Sequence, residues 1–259
     1  MNINELKNLA EVLLETFLNA GQKAMELRNK GLKLTFKSDN SPVTNGDLEV
    51  DKLLRERIIK TTPNIPLISE ETVNLNKSNE YKNFWLVDPI DGTKEYINNE
   101  DEFTLNASLI IDLEPAIGVI YAPAKKRLFY SYGKGCSFEK FGKNKIQLEC
   151  KKKTKYGEAH AVSHSFNPTS EVLEAHRKFN VKNFTKMKSS YKFCVIAAGE
   201  FDLYAAKARA HEWDIAAGHA IVKHAGGIIT TLDEKEFKYG KVNYKNLSLL
   251  VRRSENLEE

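Results

Sequence analysis

Cysteine is scarce in this chain, and the little there is carries no pattern. Cys136, Cys150 and Cys194 stand far apart without CxxC spacing, which excludes a disulfide framework and a zinc knuckle and reads as packing residues of a protein in a reducing compartment. Long apolar runs are missing too: the opening segment, MNINELKNLAEVLLETFLNAGQKAMEL, spaces its apolar residues helically among acids, unlike a signal peptide, and no stretch approaches a membrane span. A cytoplasmic protein with no integral membrane segment is expected. Nor does one sign of charge prevail. The net charge is +4 with acids and bases interspersed, and the dense basic run at 151–155 lacks the interleaved aromatics of a nucleic-acid stripe, so no nucleic-acid partner is expected. A mildly basic surface does suit a polyanionic small molecule.

Several catalytic signatures are absent as well. No GxGxxG or P-loop pattern follows an expected strand. His211-Glu212 opens like a zinc-protease HExxH, but Ile215 stands where the second histidine belongs. Ser163-His164 has no glycine elbow around it, which argues against a serine hydrolase.

A chain of 259 residues suits a single compact unit with two subdomains. Periodicity predicts a long amphipathic helix to about Arg28, a strand over 32–36, a turn over 38–41 and a helix over 46–60, with Thr44 as its cap. Strands are expected over 67–71, 84–87, 103–111, 116–121 and 127–132, the last three as antiparallel neighbours. Beyond a break near 140–157, strands over 159–163 and 201–206 alternate with helices over 168–179, 191–200 and 214–225, which suggests a second α/β layer stack. The expected division is 1–145 and 146–259.

The most informative stretch is 85–96, WLVDPIDGTKEY. Pro89 holds Asp88 in extended geometry at the end of a buried strand. Asp91 follows across a Pro-Ile kink, where both carboxylates and the Ile90 carbonyl can converge on one hard cation. Gly92 lets a ligand approach the backbone closely, and Thr93 offers a hydroxyl and an N–H where a helix over 93–97 begins, a position that attracts phosphate. A bare DPxDG is equally a surface turn with a capping aspartate. Its partners decide between the two: LISEE at 67–71 is another strand ending in acids, Asp214 opens an apolar helix in RAHEWDIAAGHAIV, and Asp47 lies in the first turn of SPVTNGDLEVDKLL.

In this order and spacing, two glutamates, then DPxDGT, then WD before a small-residue helix, the chain closely resembles the inositol monophosphatase superfamily over nearly its whole length. The continuation DGTKEY, with SSYKFC at 189–194 and WDIAAGHA at 213–220, resembles its CysQ-type 3′(2′),5′-bisphosphate nucleotidase branch. One departure is SHSF at 163–166, where many of that branch carry Ser-Arg-Ser-His.

The resemblance implies the layered α-β-α-β-α sugar phosphatase fold, a mixed α/β architecture with a metal site in the cleft between its halves. It implies Glu70, Asp88, Asp91, Asp214 and the Ile90 carbonyl as ligands of two or three magnesium ions, with Glu71 near their water shell. It assigns Asp47 and Thr93 to proton transfer, so that a metal-activated water attacks phosphorus directly. Gly92, Thr93, Lys94, Ser163, His164, Ser190, Lys192 and Asp214 are the implied substrate contacts, Lys192 being the candidate for a second phosphate. Without the resemblance, Ser190 and Lys192 read as an ordinary helix start. The expected substrate is adenosine 3′,5′-bisphosphate. The alternatives are inositol or another sugar monophosphate, or a non-catalytic binding module on this fold. A monomer or a homodimer is compatible with the sequence.

Overall fold

The computed structural model describes residues 1–37, 40–75, 80–150 and 158–257. The expected turn at 38–41 falls partly, and the lysine run at 151–155 wholly, outside the described residues.

The chain opens with α1 (Ile3–Lys30), a hairpin of β1 (Leu34–Phe36) and β2 (Pro42–Thr44), and α2 (Asn45–Thr61). A seven-stranded sheet follows. Its strands are β3 (Leu67–Ser69), β4 (Phe84–Asp91), β5 (Thr104–Ile111), β6 (Glu114–Ala122), β7 (Arg127–Ser131), β8 (Ser137–Phe141) and β9 (Asn144–Gln147), with α3 (Thr93–Ile97) between β4 and β5. They lie side by side in chain order; β3 is parallel to β4, and every later pair is antiparallel.

The rest of the chain is β10 (His160–Ser163), α4 (Ser170–Lys178), β11 (Asn183–Lys186), α5 (Tyr191–Ala197), β12 (Leu203–Ala206), α6 (Glu212–His224), β13 (Ile228–Thr230) and β14 (Leu249–Arg252). Its five strands are ordered β11-β10-β12-β14-β13, with β10 parallel to both neighbours and β14 antiparallel to both of its own.

Side-chain alternation stacks these elements into five layers. On β4, Trp85 and Val87 join Leu13, Phe17 and Leu54 of α1 and α2, whereas Phe84 and Leu86 join Phe193, Ile196, Ala217 and Ile221 of α5 and α6. The period of two makes each strand serve two cores. The second sheet repeats the device: Tyr204, Ala206 and Val251 face α5 and α6, while Leu203, Ala205 and Leu250 face Val172 and Ala175 of α4. The order is helix, sheet, helix, sheet, helix, with α5 and α6 as the filling between both sheets. Gly118 on β6 permits a close approach of the first sheet to that layer, since a Cβ there would stand 2.3 Å from the Ala217 carbonyl oxygen.

Strands β2, β8, β9, β11, β13 and β14 go beyond the sequence expectation. β9 is exposed throughout and β11 half exposed at a sheet edge, so neither has the apolar alternation that marks a strand. The helix expected from Asp214 begins earlier, at Glu212.

Candidate active site

The site grows from a fault in the pairing of β4. Asp88 pairs with Asn106 and Asp91 with Thr104, so three steps on β4 match two on β5. In a regular strand residues three apart face opposite sides. The extra residue at Pro89-Ile90 forms a bulge, and both carboxylates turn towards α6. The Ile90 side chain points the other way, into the core beneath α2.

Glu70 arrives from the end of β3, where its N–H donates to the Val87 carbonyl at 3.1 Å. Asp214 arrives in the first turn of α6, its Oδ2 accepting from the His211 N–H at 2.7 Å. Oxygens of Glu70, Asp88 and Asp214 lie within 4.8 Å of one another. Asp91 stands outside that triad, and its Oδ2 accepts from the Ser190 N–H at 2.5 Å and lies 2.7 Å from the Ser190 hydroxyl.

Burial, then the charge of the neighbouring acids, holds the Asp88 and Asp214 carboxyls well above the usual range. Burial raises Asp91 as well, against the pull of Lys192 and Ser190. The Asp88 Oδ1 is buried with no hydrogen-bond partner, an arrangement that costs free energy unless something positive completes it. An all-oxygen set of this kind fits a hard divalent cation.

Lys37, which follows β1, donates to Glu70 and to Glu71 at 2.9 Å each. Burial would lower its ammonium, but the two glutamates outweigh this and raise it. Burial pushes Glu71 up to about 7 despite that partner.

Asp47 sits in the first turn of α2, inside a reciprocal cap with Thr44. Its Oδ2 accepts from the Thr44 N–H at 2.8 Å and the Thr44 hydroxyl at 2.6 Å, and the Thr44 Oγ1 accepts from the Gly46 N–H at 3.0 Å. This fixes the ring of contacts so that Oδ1 faces Thr93, whose hydroxyl lies 3.2 Å away and 3.1 Å from the Ile90 carbonyl. Burial raises the Asp47 carboxyl. Gly92, at φ 92°, turns the chain between β4 and α3 in a conformation that glycine adopts without strain.

Glu70, Asp91, Gly92, Thr93, Lys94, His164, Ser190, Lys192 and Asp214 all border one cavity of about 460 Å³. Its lining adds Lys188, Lys207 and Arg209. Burial, then Arg209, Lys192 and Lys188, push His164 down to about 3, so at neutral pH it is an uncharged acceptor, 3.4 Å from the Lys188 Nζ. Lys192 is buried, donates to the Ser189 carbonyl and lies 5.0 Å from the Tyr204 ring centre. Burial brings its ammonium down to about 8, with Asp91 opposing.

Ser163 is buried, lies outside the cavity wall and turns its hydroxyl to the Ser165 carbonyl at 3.0 Å. His219 packs against Phe237 and Tyr239, with its Nδ1 3.0 Å from the Tyr239 hydroxyl. Lys37, Lys188, Arg209 and Asn106 were not singled out from the sequence. Lys188 directly precedes SSYKFC and was within reach of a longer motif; Lys37, Arg209 and Asn106 reach the site only through the fold.

A carboxylate triad at the carboxyl ends of strands and the start of a helix, beside a cation-lined cavity on a five-layer frame, defines a class of metal-dependent phosphoester hydrolases. The chain belongs to the inositol monophosphatase family, whose pattern it matches over residues 5–258. The 3′(2′),5′-bisphosphate nucleotidase CysQ of Buchnera aphidicola subsp. Acyrthosiphon pisum (strain APS) is 35% identical over 249 residues, covering 93% of this chain and 89% of that one. The crystal structure of CysQ from Bacteroides thetaiotaomicron superimposes with a TM-score of 0.78 at 28% identity, covering 98% of this chain and 100% of that one. An IMPase/NADP phosphatase complexed with Mg2+ and phosphate shares the fold, with a TM-score of 0.74 at 18% identity over 98% of this chain and 93% of that one.

Proposed function

We propose that this chain is a magnesium-dependent phosphomonoesterase that hydrolyses adenosine 3′,5′-bisphosphate to AMP and phosphate. The observation that carries this reading is that one cavity is bordered both by acids, Glu70, Asp91 and Asp214, and by several cations, among them Lys188, Lys192 and Arg209. A substrate with two phosphates engages both sets, one phosphate through cations held by the acids and the other through the basic side chains. In this reading 1–145 supplies Glu70, Asp88 and Asp91, 146–259 supplies Asp214 and the cations, and the two parts work as one catalytic unit.

Glu70, Asp88, Asp91, Asp214 and the Ile90 carbonyl would hold the magnesium. When bound, the ions neutralise phosphate charge and lower the pKa of a coordinated water. The protein's own groups do the rest. The Thr93 hydroxyl takes a proton from the attacking water while its own passes to Asp47, whose carboxylate lies 3.2 Å away and is raised by burial towards proton affinity. The N–H groups of Gly92 and Thr93, at the open start of α3, are free of intrahelical partners and orient the phosphate oxygens. The water oxygen bonds to phosphorus, the ester bond to the ribose oxygen breaks, and that oxygen takes up a proton from solvent water as AMP leaves. Lys94 borders the entrance and adds positive charge there. Because Lys192 is buried and donates to a carbonyl, the retained phosphate rests on Lys188 and Arg209.

Phosphate release from adenosine 3′,5′-bisphosphate, its 2′ isomer, inositol 1-phosphate and fructose 1,6-bisphosphate, with magnesium and with EDTA, tests this. The adenosine bisphosphate should give the highest kcat/KM, and EDTA should abolish turnover. A preference for inositol 1-phosphate would overturn the substrate assignment; turnover in EDTA would overturn the metal chemistry.

A further inference from the structure

Ser190 is where four elements meet. It is 1% exposed, and its N–H and hydroxyl both face residues of the candidate site or its support. Its N–H donates to Asp91 Oδ2 on β4 at 2.5 Å. Its hydroxyl oxygen lies 2.7 Å from the same Oδ2 and 2.5 Å from the backbone carbonyl of Asp214 on α6, and receives the Asn106 Nδ2 of β5 at 3.1 Å. The residue before it, Ser189, stands at φ 51°, a left-handed conformation that is costly for a side chain other than glycine and persists where surroundings enforce it. That turn aims the Ser190 N–H at Asp91.

From this geometry we infer that Ser190 is a positioning residue of the metal site and not a substrate contact. The inference rests on the reading of Glu70, Asp88, Asp91 and Asp214 as metal-holding carboxylates. The Ser190 N–H on Asp91 Oδ2, with the single hydroxyl proton shared between that oxygen and the Asp214 carbonyl, fixes the rotation of the carboxylate and leaves Oδ1 to face the site. The second contact of the hydroxyl, with the Asp214 carbonyl, sets how far the first turn of α6 stands from β4. The spacing of two carboxylates carried by different layers is thereby set at one side chain. Asn106, opposite Asp88 in the β4–β5 ladder, holds the hydroxyl in place from the sheet side. Groups that orient metal ligands typically change metal affinity by about 10- to 100-fold when removed.

The test is an electron paramagnetic resonance titration of the full chain with Mn2+ and no substrate. Ser190→Ala keeps the N–H but loses the hydroxyl, and should weaken Mn2+ binding by about 10-fold or more, while KM for the bisphosphate at saturating Mn2+ stays near the parent value. Ser190→Thr, which retains the hydroxyl, should recover most of the affinity. Asn106→Ala, which removes only the donor to that hydroxyl, should weaken binding in the same direction, and answers the question if Ser190→Ala fails to fold. Unchanged Mn2+ affinity with a raised KM would make Ser190 a substrate contact and overturn the inference. Unchanged Mn2+ affinity and KM in folded variants would overturn it equally. A parent protein that binds no Mn2+ would instead overturn the metal reading on which it rests.

Discussion

Asp88 and Asp91 face the same side of β4 because one residue bulges out between them, and in a regular strand they would face opposite sides. The bulge gathers like charges in a buried place, so the site is built at a cost to the metal-free protein. Asp88→Asn removes one of those charges while keeping the shape. We expect turnover to fall to background and the metal-free variant to melt a few degrees above the parent, about 2–4 °C for each kcal/mol recovered. A calorimetric scan in EDTA checks this, and a variant that melts below the parent would contradict it.

Thr93→Ala deletes the hydroxyl between Asp47 and the Ile90 carbonyl but no charged group. A loss in kcat of about 10²–10⁴-fold is expected, with magnesium affinity near the parent value by isothermal titration. Turnover close to the parent rate would remove the Asp47-Thr93 pair from the mechanism.

Arg209 borders the cavity with no hydrogen bond or ion pair of its own among the described residues, and Lys188 borders the same cavity with its Nζ 3.6 Å from Glu95. Arg209→Ala should raise KM for adenosine 3′,5′-bisphosphate by about 10-fold or more and leave KM for adenosine 3′-monophosphate little changed, since only the first has a second phosphate to lose the contact. Steady-state kinetics on both substrates decide it; equal losses would place the second phosphate elsewhere.

Magnesium should stabilise this protein more at high pH than at low. Glu71 is held up to about 7, chiefly by burial, and Asp88 and Asp214 stand well above ordinary carboxyls. Between the unfolded and the raised folded pKa, the folded state keeps a proton the unfolded chain has lost, so metal-free stability falls as pH rises through that window. A cation must displace those protons, so its gain grows with pH. His219 and His224, pushed down to about 3 and about 4 by burial, act oppositely: the unfolded state binds more protons below 6.5, and stability rises with pH there. They contribute alike with and without metal and cancel in the difference. The rise in Tm on adding magnesium should be small at pH 5 and larger at pH 8. An equal rise at both would contradict it.

The acidic ends of β3 and β4 and the start of α6 were legible in the sequence because each is a local event: an apolar run, a proline or a cap, then an acid. Thr44 was readable as a cap for the same reason, and the structure adds the return bond from Asp47. The long amphipathic α1 and apolar α6 show their period in one pass. What stayed hidden depends on distant pairing. β9 and β11 have no apolar alternation and become strands through their partners. Lys37 reaches Glu70 across 33 residues and Ser190 reaches Asp91 across 99, separations at which no spacing rule operates. The burial that neutralises His164 is likewise a property of the fold alone.

Helices α5 and α6 have no face to spare: Phe193, Ile196, Ala217 and Ile221 sit in one interior with Leu86 and Ile120 of the first sheet and Val162, Tyr204 and Val251 of the second. Cutting the chain between Gln147 and His160 would therefore leave each fragment with an open apolar wall. Unfolding should proceed as a single transition, and complementation by two separately made fragments should restore structure and Asp214 together or restore neither.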